Sequence, residues 1–237
     1  MRLGAITTSY RDQETIRGTL SCLKPFVDQH IVLLSEKPYY QDYSNPDGTE
    51  EICKEVGVDV VKGVWKEEHL QRNLGVSLLK DCAWILWFDA DEMMIKEDLA
   101  KFIKYLETVK EDAVAIISKV YWKNTQYRFD PHPDHHKIIA TRPNVTYYDR
   151  ACFRGTYKLL ENDNELGITH HHLSYCAPKD ILNKVLHYSH ANEFDGKKWY
   201  EEHFVNWQPG QPVYQPFGTK WEAVYDPLPE ELEALLK

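Results

Sequence analysis

The sequence predicts an α/β fold in which a mostly parallel sheet is flanked by helices and followed by a mixed C-terminal region. Short apolar runs alternate with amphipathic segments through the N-terminal part of the chain, which is the pattern of successive βαβ units. The fourth apolar run, residues 83–88, is continuously hydrophobic, as expected of a strand buried on both faces of a parallel sheet. The chain has 237 residues and no evident linker, so we predict one domain.

Capping and turn signals bound the elements of the N-terminal part. The predicted strands there are residues 3–8, 30–34, 58–61 and 83–88. The predicted helices are residues 13–23, a short helix that begins after Asp47 and Glu50 and stops at Gly57, and residues 67–80, in which Leu70, Leu74 and Leu78 share one face. Ligands of such sheets bind outside the carboxyl ends of the strands, so functional residues are expected there.

The rest of the chain alternates less regularly. The predicted helices are residues 97–109, 178–188 and 229–236. The predicted strands are residues 113–122, 137–142, 145–148 and 168–175. Residues 123–134 are predicted to be a loop, and residues 155–167 an irregular acidic segment.

Composition narrows the class of protein. The formal net charge of −9 provides no overall basic footprint of the kind that a general duplex-DNA binder carries. No apolar run is long enough for a signal peptide core or a membrane span. The five cysteines are scattered without a CxxC pair, which is typical of reduced thiols, so we expect a cytoplasmic protein, in the host cytoplasm if it is phage-encoded.

The segment Phe88-Asp89-Ala90-Asp91-Glu92 places three carboxylates directly after the buried strand 83–88. Buried carboxylates are costly unless they are paired or bind a cation, and their oxygens suit Mg²⁺ or Mn²⁺. Asp89 and Asp91 are two residues apart at a strand end, so both can point into one cleft. A solvated acidic turn before the next helix is the alternative interpretation.

The run Thr7-Thr8-Ser9-Tyr10-Arg11 after the first strand, Gln71-Arg72-Asn73 at a helix start and the segment WILWFDADE together resemble family 2 glycosyltransferases of the GT-A fold, in particular a bacterial and phage branch. The resemblance implies that residues 1–95 are a nucleotide-binding half. It implies that residues 96–237 complete a metal site and bind the acceptor.

The resemblance also implies roles for individual residues. It implies a nucleotide-diphosphate sugar as donor, with UDP as the default nucleotide, Mn²⁺ or Mg²⁺ as cofactor, and inversion at the sugar carbon. The nucleotide-sugar contacts that it implies are Thr7, Ser9, Tyr10, Arg11, Ser35, Glu36, Gln71, Arg72, Asp89 and Ala90. Asp89 and Asp91 would bind the metal, and Asp91 would act in catalysis beside the diphosphate. A purely structural role competes for Arg72, which is spaced to pair with Glu68 on one helix face.

Three consecutive histidines fall in the predicted strand 168–175. Alternation puts His170 and His172 on one face and His171 on the other. The resemblance favours His172 as the third protein ligand of the metal, with His171 second. A zinc or iron site built on His170 and His172 is the alternative chemistry. Lys184 and His190 follow and can reach phosphate or acceptor, or, for Lys184, can simply lie on a helix surface.

An inverting transfer needs a carboxylate that takes the proton of the acceptor hydroxyl. Glu161 and then Asp163 are the candidates, although a solvated acidic loop explains both equally well. The acceptor can be a polysaccharide, a lipid-linked glycan, a protein or a modified nucleic-acid base. Most of the C-terminal aromatic residues are expected in the core, with one or two at the acceptor side.

Three other functions are also compatible with the sequence. A nucleotidyltransferase would share the acidic site but would carry a glycine-rich basic loop after the first strand, where this chain has Thr7-Thr8-Ser9. A histidine-metal hydrolase would bind zinc at His170 and His172. A non-catalytic module would bind the nucleotide or sugar without turnover.

Overall fold

The computed structural model describes residues 1–39, 44–131, 136–161, 164–176, 181–187, 190–216 and 218–237. The strands are β1 (Leu3–Ser9), β2 (Gln29–Ser35), β3 (Asp59–Gly63), β4 (Trp84–Trp87), β5 (Glu92–Met93), β6 (Ala113–Ile117), β7 (Lys119–Trp122), β8 (Tyr127–Asp130), β9 (His136–Thr141), β10 (Thr146–Asp149), β11 (Cys152–Arg154), β12 (Tyr157–Leu160), β13 (His171–Tyr175), β14 (Val213–Tyr214) and β15 (Lys220–Tyr225). The α-helices are α1 (Ile16–Leu23), α2 (Thr49–Val56), α3 (Glu68–Leu78), α4 (Lys96–Leu106), α5 (Ile181–His187), α6 (Gly196–Trp199) and α7 (Glu230–Leu235).

A seven-stranded sheet with the order β12-β6-β9-β4-β1-β2-β3 forms the centre of the molecule. β1 pairs in parallel with β2 and with β4, and β2 pairs in parallel with β3. β9 is antiparallel to both of its neighbours, β4 and β6. The predicted parallel sheet is therefore confirmed, with one antiparallel strand in its second half. Because β1 and β4 are adjacent and parallel, the residues that follow them meet at one sheet edge.

A second sheet, β14-β15-β8-β7-β13-β5, brings the histidine segment to the carboxylates. β13 pairs antiparallel with β5, and the register sets His172 opposite Glu92. The short strands β10 and β11 form a separate antiparallel pair.

Three predictions about the second half of the chain are wrong. Residues 113–122 form two strands in two sheets, because the chain leaves the first sheet at Ser118, whose hydroxyl hydrogen-bonds His170 at 2.8 Å. β8 lies in the predicted loop 123–134, and β12 lies in the predicted irregular segment 155–167. β12 is an edge strand with mostly exposed residues, so it lacks the apolar signal of a buried strand.

The buried face of α3 also differs from the prediction. Leu70 and Leu78 are 48% and 39% exposed, whereas Gln71, Arg72, Gly75 and Val76 are buried. Gly75 permits this packing, because a Cβ atom there would come within 3.0 Å of Trp87. The two polar residues tolerate burial because each finds partners, described below. The prediction that α2 stops at Gly57 is confirmed, since Gly57 has a φ of 76°.

Aromatic residues of the C-terminal part form a cluster of their own. Trp122 is fully buried at its centre, in ring contact with Phe129, Trp199, Phe204 and Trp207. This cluster also contains Ile181 and Val185 of α5, so it anchors that helix. In the described part of the chain, none of the helices has the length and apolar character that crossing a membrane requires.

Candidate active site

A cavity of about 380 Å³ opens where β1 and β4 end. Its walls come from the segments that follow β1, β2 and β4, and from β13 and α5. Of the predicted site residues, Ser9, Tyr10, Arg11, Ser35, Gln71, Asp89, Ala90, Asp91 and His172 line it. The fold therefore brings together residues from five separate parts of the chain.

Asp91 is almost fully buried and holds two basic groups. Its Oδ2 lies 2.5 Å from Nζ of Lys184, and its Oδ1 lies 3.3 Å from Nε2 of His172. Burial alone would raise the pKa of Asp91, but Lys184 and His172 together hold this pKa well below its usual value. Asp91 is therefore ionised at neutral pH. The backbone carbonyl of Asp91 accepts a 2.8 Å hydrogen bond from the amide of Leu173, which ties the aspartate to β13.

Asp89 is surrounded by a different set of partners. Thr8 donates to its Oδ1 at 2.6 Å, Arg72 lies 3.4 Å from the same oxygen, and Lys137 donates to Oδ2. Burial opposes ionisation, yet Lys137 and Arg72 hold the pKa of Asp89 below its usual value. Both carboxylate oxygens of Asp89 are thus engaged by groups of this chain.

Glu92 is the most deeply buried carboxylate of the site, with no exposed surface. Its Oε1 lies 2.5 Å from Nζ of Lys137, and its Oε2 accepts a 2.7 Å hydrogen bond from the amide of Asp89. Burial raises the pKa of Glu92 above its usual value despite Lys137. Burial alone would lower the pKa of Lys137, but Asp89 and Glu92 keep it above its usual value. Sequence reasoning missed Lys137. A single lysine just before the apolar residues of β9 could have marked it as a candidate buried charge.

Arg72 forms the ion pair that its helical spacing predicts. It pairs with Glu68 at 2.7 Å and also approaches Asp89. Its guanidinium lies 5.4 Å from the ring centre of Trp87 and 5.8 Å from that of Tyr147, within cation–π distance of each. Arg72 is buried behind Asp89 and does not line the cavity.

Two other predicted nucleotide contacts face away from the cavity. The Thr7 hydroxyl lies 3.0 Å from Nε2 of His30, because successive residues of a strand point to opposite faces. Its neighbour Thr8 lines the cavity instead. Glu36 lies outside the lining and pairs with Lys62 at 3.8 Å.

The predicted nucleotide end of the cavity is well ordered by hydrogen bonds. Gln71 donates to the carbonyl of Leu33 at 2.8 Å and accepts from the Tyr39 hydroxyl at 2.6 Å. Asp12, which sequence reasoning missed, accepts from the Ser9 hydroxyl at 2.8 Å and from the Tyr10 amide at 2.9 Å. Burial, assisted by the nearby charge of Asp91, raises the pKa of Asp12 to about 7.

The three histidines have three different environments. His172 faces Asp91 and Glu92. His170 is fully buried, with Nδ1 2.8 Å from the Ser118 hydroxyl, and burial holds its pKa well below the usual value. His171 points to the other side, 2.9 Å from the Tyr121 hydroxyl. Burial, followed by the positive charge of Lys119, lowers the pKa of His171 to about 3.

Ligand atoms suitable for one metal ion meet at Asp91, Glu92 and His172, all within 4.8 Å of one another. The 3.3 Å between Asp91 Oδ1 and His172 Nε2 is close to the roughly 3 Å that separates neighbouring ligands of an octahedral ion with bonds near 2.1 Å. The carboxylate oxygens suit Mg²⁺ or Mn²⁺, and the imidazole nitrogen suits Zn²⁺ or Fe²⁺. These residues therefore fit a divalent cation. Both oxygens of Glu92 have partners, in Lys137 and the Asp89 amide, whereas Lys184 contacts one oxygen of Asp91 and leaves the other facing His172. Asp91 and His172 are therefore the better pair.

Of the two candidate general bases, the structure describes Glu161. Glu161 is exposed just after β12, at the edge of the central sheet, and does not line the cavity. Asp163 falls outside the described residues.

Comparison with known proteins identifies the family. The family model described as glycosyl transferase family 2 matches residues 6–176. The chain belongs to this family. Membership confirms the resemblance seen in the sequence and the GT-A type of α/β fold. No curated protein sequence matches the chain.

Solved structures show distant likeness. Staphylococcus aureus TarS superposes with a TM-score of 0.49 at 14% identity, covering 80% of this chain and 40% of TarS. A TarS 1–349 complex with UDP-GlcNAc superposes with a TM-score of 0.40 at 18% identity, covering 51% of this chain and 35% of that one. HddC from Yersinia pseudotuberculosis gives a TM-score of 0.44 at 10% identity, covering 72% and 92%. The chain thus spans 40% of the length of the TarS structure.

Proposed function

We propose that this chain transfers a sugar from a nucleotide-diphosphate donor, with UDP as the nucleotide, to an acceptor hydroxyl with inversion, and that it uses Mn²⁺ or Mg²⁺. The observation that supports this most strongly is the position of Asp89 and Asp91. In a member of glycosyl transferase family 2, they follow a central parallel strand and line a cavity of about 380 Å³. This is where open α/β sheets bind nucleotides.

Each part of the cavity would then have its own task. Ser9, Tyr10, Ser35 and Gln71 would hold the nucleoside. Asp91 and His172 would hold the divalent ion, which when bound would offset the negative charge of the departing diphosphate. Asp89 would keep its place through Thr8, Lys137 and Arg72, a network already formed in the protein and suited to a preorganised site.

The proposal also includes predictions of the general base and of the acceptor. Glu161 and Asp163 are the candidate bases, and the position of Glu161 outside the cavity lining favours Asp163. A glycan, a protein or a modified nucleic-acid base meets the chemical requirement of a free hydroxyl.

The test begins with ligand binding. Thermal unfolding is measured with UDP, GDP, TDP, CDP and ADP, each with Mn²⁺ and with EDTA. A ligand at about a hundred times its Kd adds about 2.7 kcal/mol to the stability of the state it binds. We expect stabilisation by one nucleoside diphosphate, strengthened by Mn²⁺. No stabilisation by any of them would contradict the proposal.

Turnover separates an enzyme from a binding module. The sugar conjugates of the stabilising nucleotide are incubated with the protein and Mn²⁺, and release of the nucleoside diphosphate is followed with and without candidate acceptors. Acceptor-dependent release supports glycosyl transfer. Binding without any release, even as slow donor hydrolysis, would favour the non-catalytic module.

A further inference from the structure

Lys184 lies beside the cavity, in a part of the chain that the family model does not match. It lies on α5, beyond residues 6–176, and it lines the cavity together with Asp91. α5 is fixed from behind, because Ile181 and Val185 are buried in the aromatic cluster around Trp122. The approach of α6 to α5 is also close, since a Cβ on Gly196 would come within 2.8 Å of the Val185 carbonyl oxygen. The backbone that carries Lys184 is thus well anchored.

Among the described basic side chains that contact Asp89 or Asp91, Lys184 is the most exposed to solvent. Three lysine and arginine side chains of the described residues contact Asp89 or Asp91. Arg72 is 4% exposed and Lys137 is 17% exposed, and both lie behind Asp89, whereas Lys184 is 31% exposed. A ligand in the cavity can therefore reach Lys184 without displacing the core of the site.

Lys184 and His172 contact different oxygens of Asp91. Lys184 occupies Oδ2 of Asp91, while His172 faces Oδ1. A divalent ion between Asp91 and His172 and the ammonium of Lys184 would thus use different oxygens and can act together.

We propose that Lys184 binds the diphosphate of the donor, and that Asp91 positions its ammonium for this contact. The inference rests on the proposed function, because it takes a nucleoside diphosphate as the ligand. Each of the three ammonium hydrogens can donate a hydrogen bond, so Lys184 can contact a phosphate oxygen while it keeps Asp91. A fixed positive charge beside the leaving group would act whether or not an ion is bound.

The test compares ligands that differ only in phosphate. Kd values for uridine, UMP and UDP, or for the matching series of the base that stabilises the protein, are measured by calorimetry in EDTA and in Mn²⁺. Lys184→Met is expected to weaken diphosphate binding by about tenfold or more, since it removes a hydrogen bond to a charged group. Nucleoside binding is expected to stay unchanged, and Lys184→Arg is expected to retain most of the diphosphate affinity. Lys198→Met, an exposed lysine on α6, is the matched control and is expected to behave as wild type.

The outcomes distinguish the two proposals. Equal weakening of nucleoside and diphosphate binding by Lys184→Met, or no weakening of either, would overturn the role of Lys184 and leave the proposed function standing. No binding of any nucleoside diphosphate by the wild type would overturn both. If Lys184→Met does not fold, Lys184→Gln is measured instead, and its nucleoside binding reports an intact cavity.

Discussion

Lys137 Nζ lies 2.5 Å from Oε1 of Glu92, a carboxylate with no exposed surface. The same ammonium donates to Asp89, so one lysine from β9 holds two carboxylates that follow β4. This ion pair connects the antiparallel strand of the central sheet to the candidate site.

Removing Lys137 is expected to destabilise the fold. Lys137→Met leaves Glu92 buried without its cation, and breaking one side of a buried ion pair costs about 3 kcal/mol or more. Urea unfolding monitored by tryptophan fluorescence measures the loss. The double variant Lys137→Met with Glu92→Gln is expected to recover part of it, because the uncompensated charge is gone. A single variant as stable as wild type would show that the pair contributes nothing.

Gly75 is expected to tolerate no branched side chain. A Cβ atom there would come within 3.0 Å of Trp87, 3.1 Å of Ile6 and 3.2 Å of Leu33. Gly75→Val is therefore expected to lower the free energy of unfolding by about 1–3 kcal/mol. Ser77→Val, on the exposed side of the same helix, is the control and is expected to change stability by less than about 0.5 kcal/mol. Equal effects of the two substitutions would contradict the close packing of α3.

His171 is expected to make the protein sensitive to acid. Its pKa is about 3 in the folded protein, below the value of about 6.5 for an unfolded histidine, so the unfolded state binds more protons between these values. The stability from keeping His171 neutral is complete above about pH 6.5 and is lost as the pH falls towards 3. Its neighbours with charge or a titratable group are Lys119, Asp226 and Tyr121.

The measurement compares wild type with His171→Gln, which preserves a partner for Tyr121. Between about pH 6.5 and pH 5, this one histidine contributes a loss of about 2 kcal/mol in the wild type. The variant is expected to lose that much less over the same range. Burial lowers the pKa of His30 to about 4, and His30 contributes the same pH dependence of stability to both proteins. Identical pH profiles for the two proteins would refute a buried neutral His171.

Glu161→Gln is expected to retain most of the donor turnover. The side chain is exposed and lies outside the cavity lining, so it does not face a substrate bound there. The same assay on Asp163→Asn tests the second candidate base. Loss of turnover in Glu161→Gln with intact nucleotide binding would instead place the general base at Glu161.

The sequence predicted the part of the fold that depends on local apolar pattern. β1, β2 and β4 each contain a short apolar run, and the carboxylates that follow β4 lie at the sheet edge where the rule for parallel sheets puts them. Strand alternation also separated His171 from His170 and His172.

The rest of the site depends on partners distant in the chain. Lys184 lies 93 residues after Asp91, and Lys137 lies 48 residues after Asp89, so no local pattern pairs them. The buried face of α3 was missed for the same reason. Gln71 is stable inside because Leu33 and Tyr39 satisfy its amide, which only the tertiary structure reveals.

The central claim is that Asp91 holds a divalent ion beside the donor diphosphate, and calorimetry on Asp91→Asn tests it most directly. The Kd of the nucleoside diphosphate that stabilises the wild type is measured in Mn²⁺ and in EDTA. We expect the wild type to bind more tightly with Mn²⁺, and we expect Asp91→Asn to lose about tenfold or more in affinity and no longer to respond to the metal. A folded Asp91→Asn variant with the wild-type Kd and the wild-type response to Mn²⁺ would contradict the account.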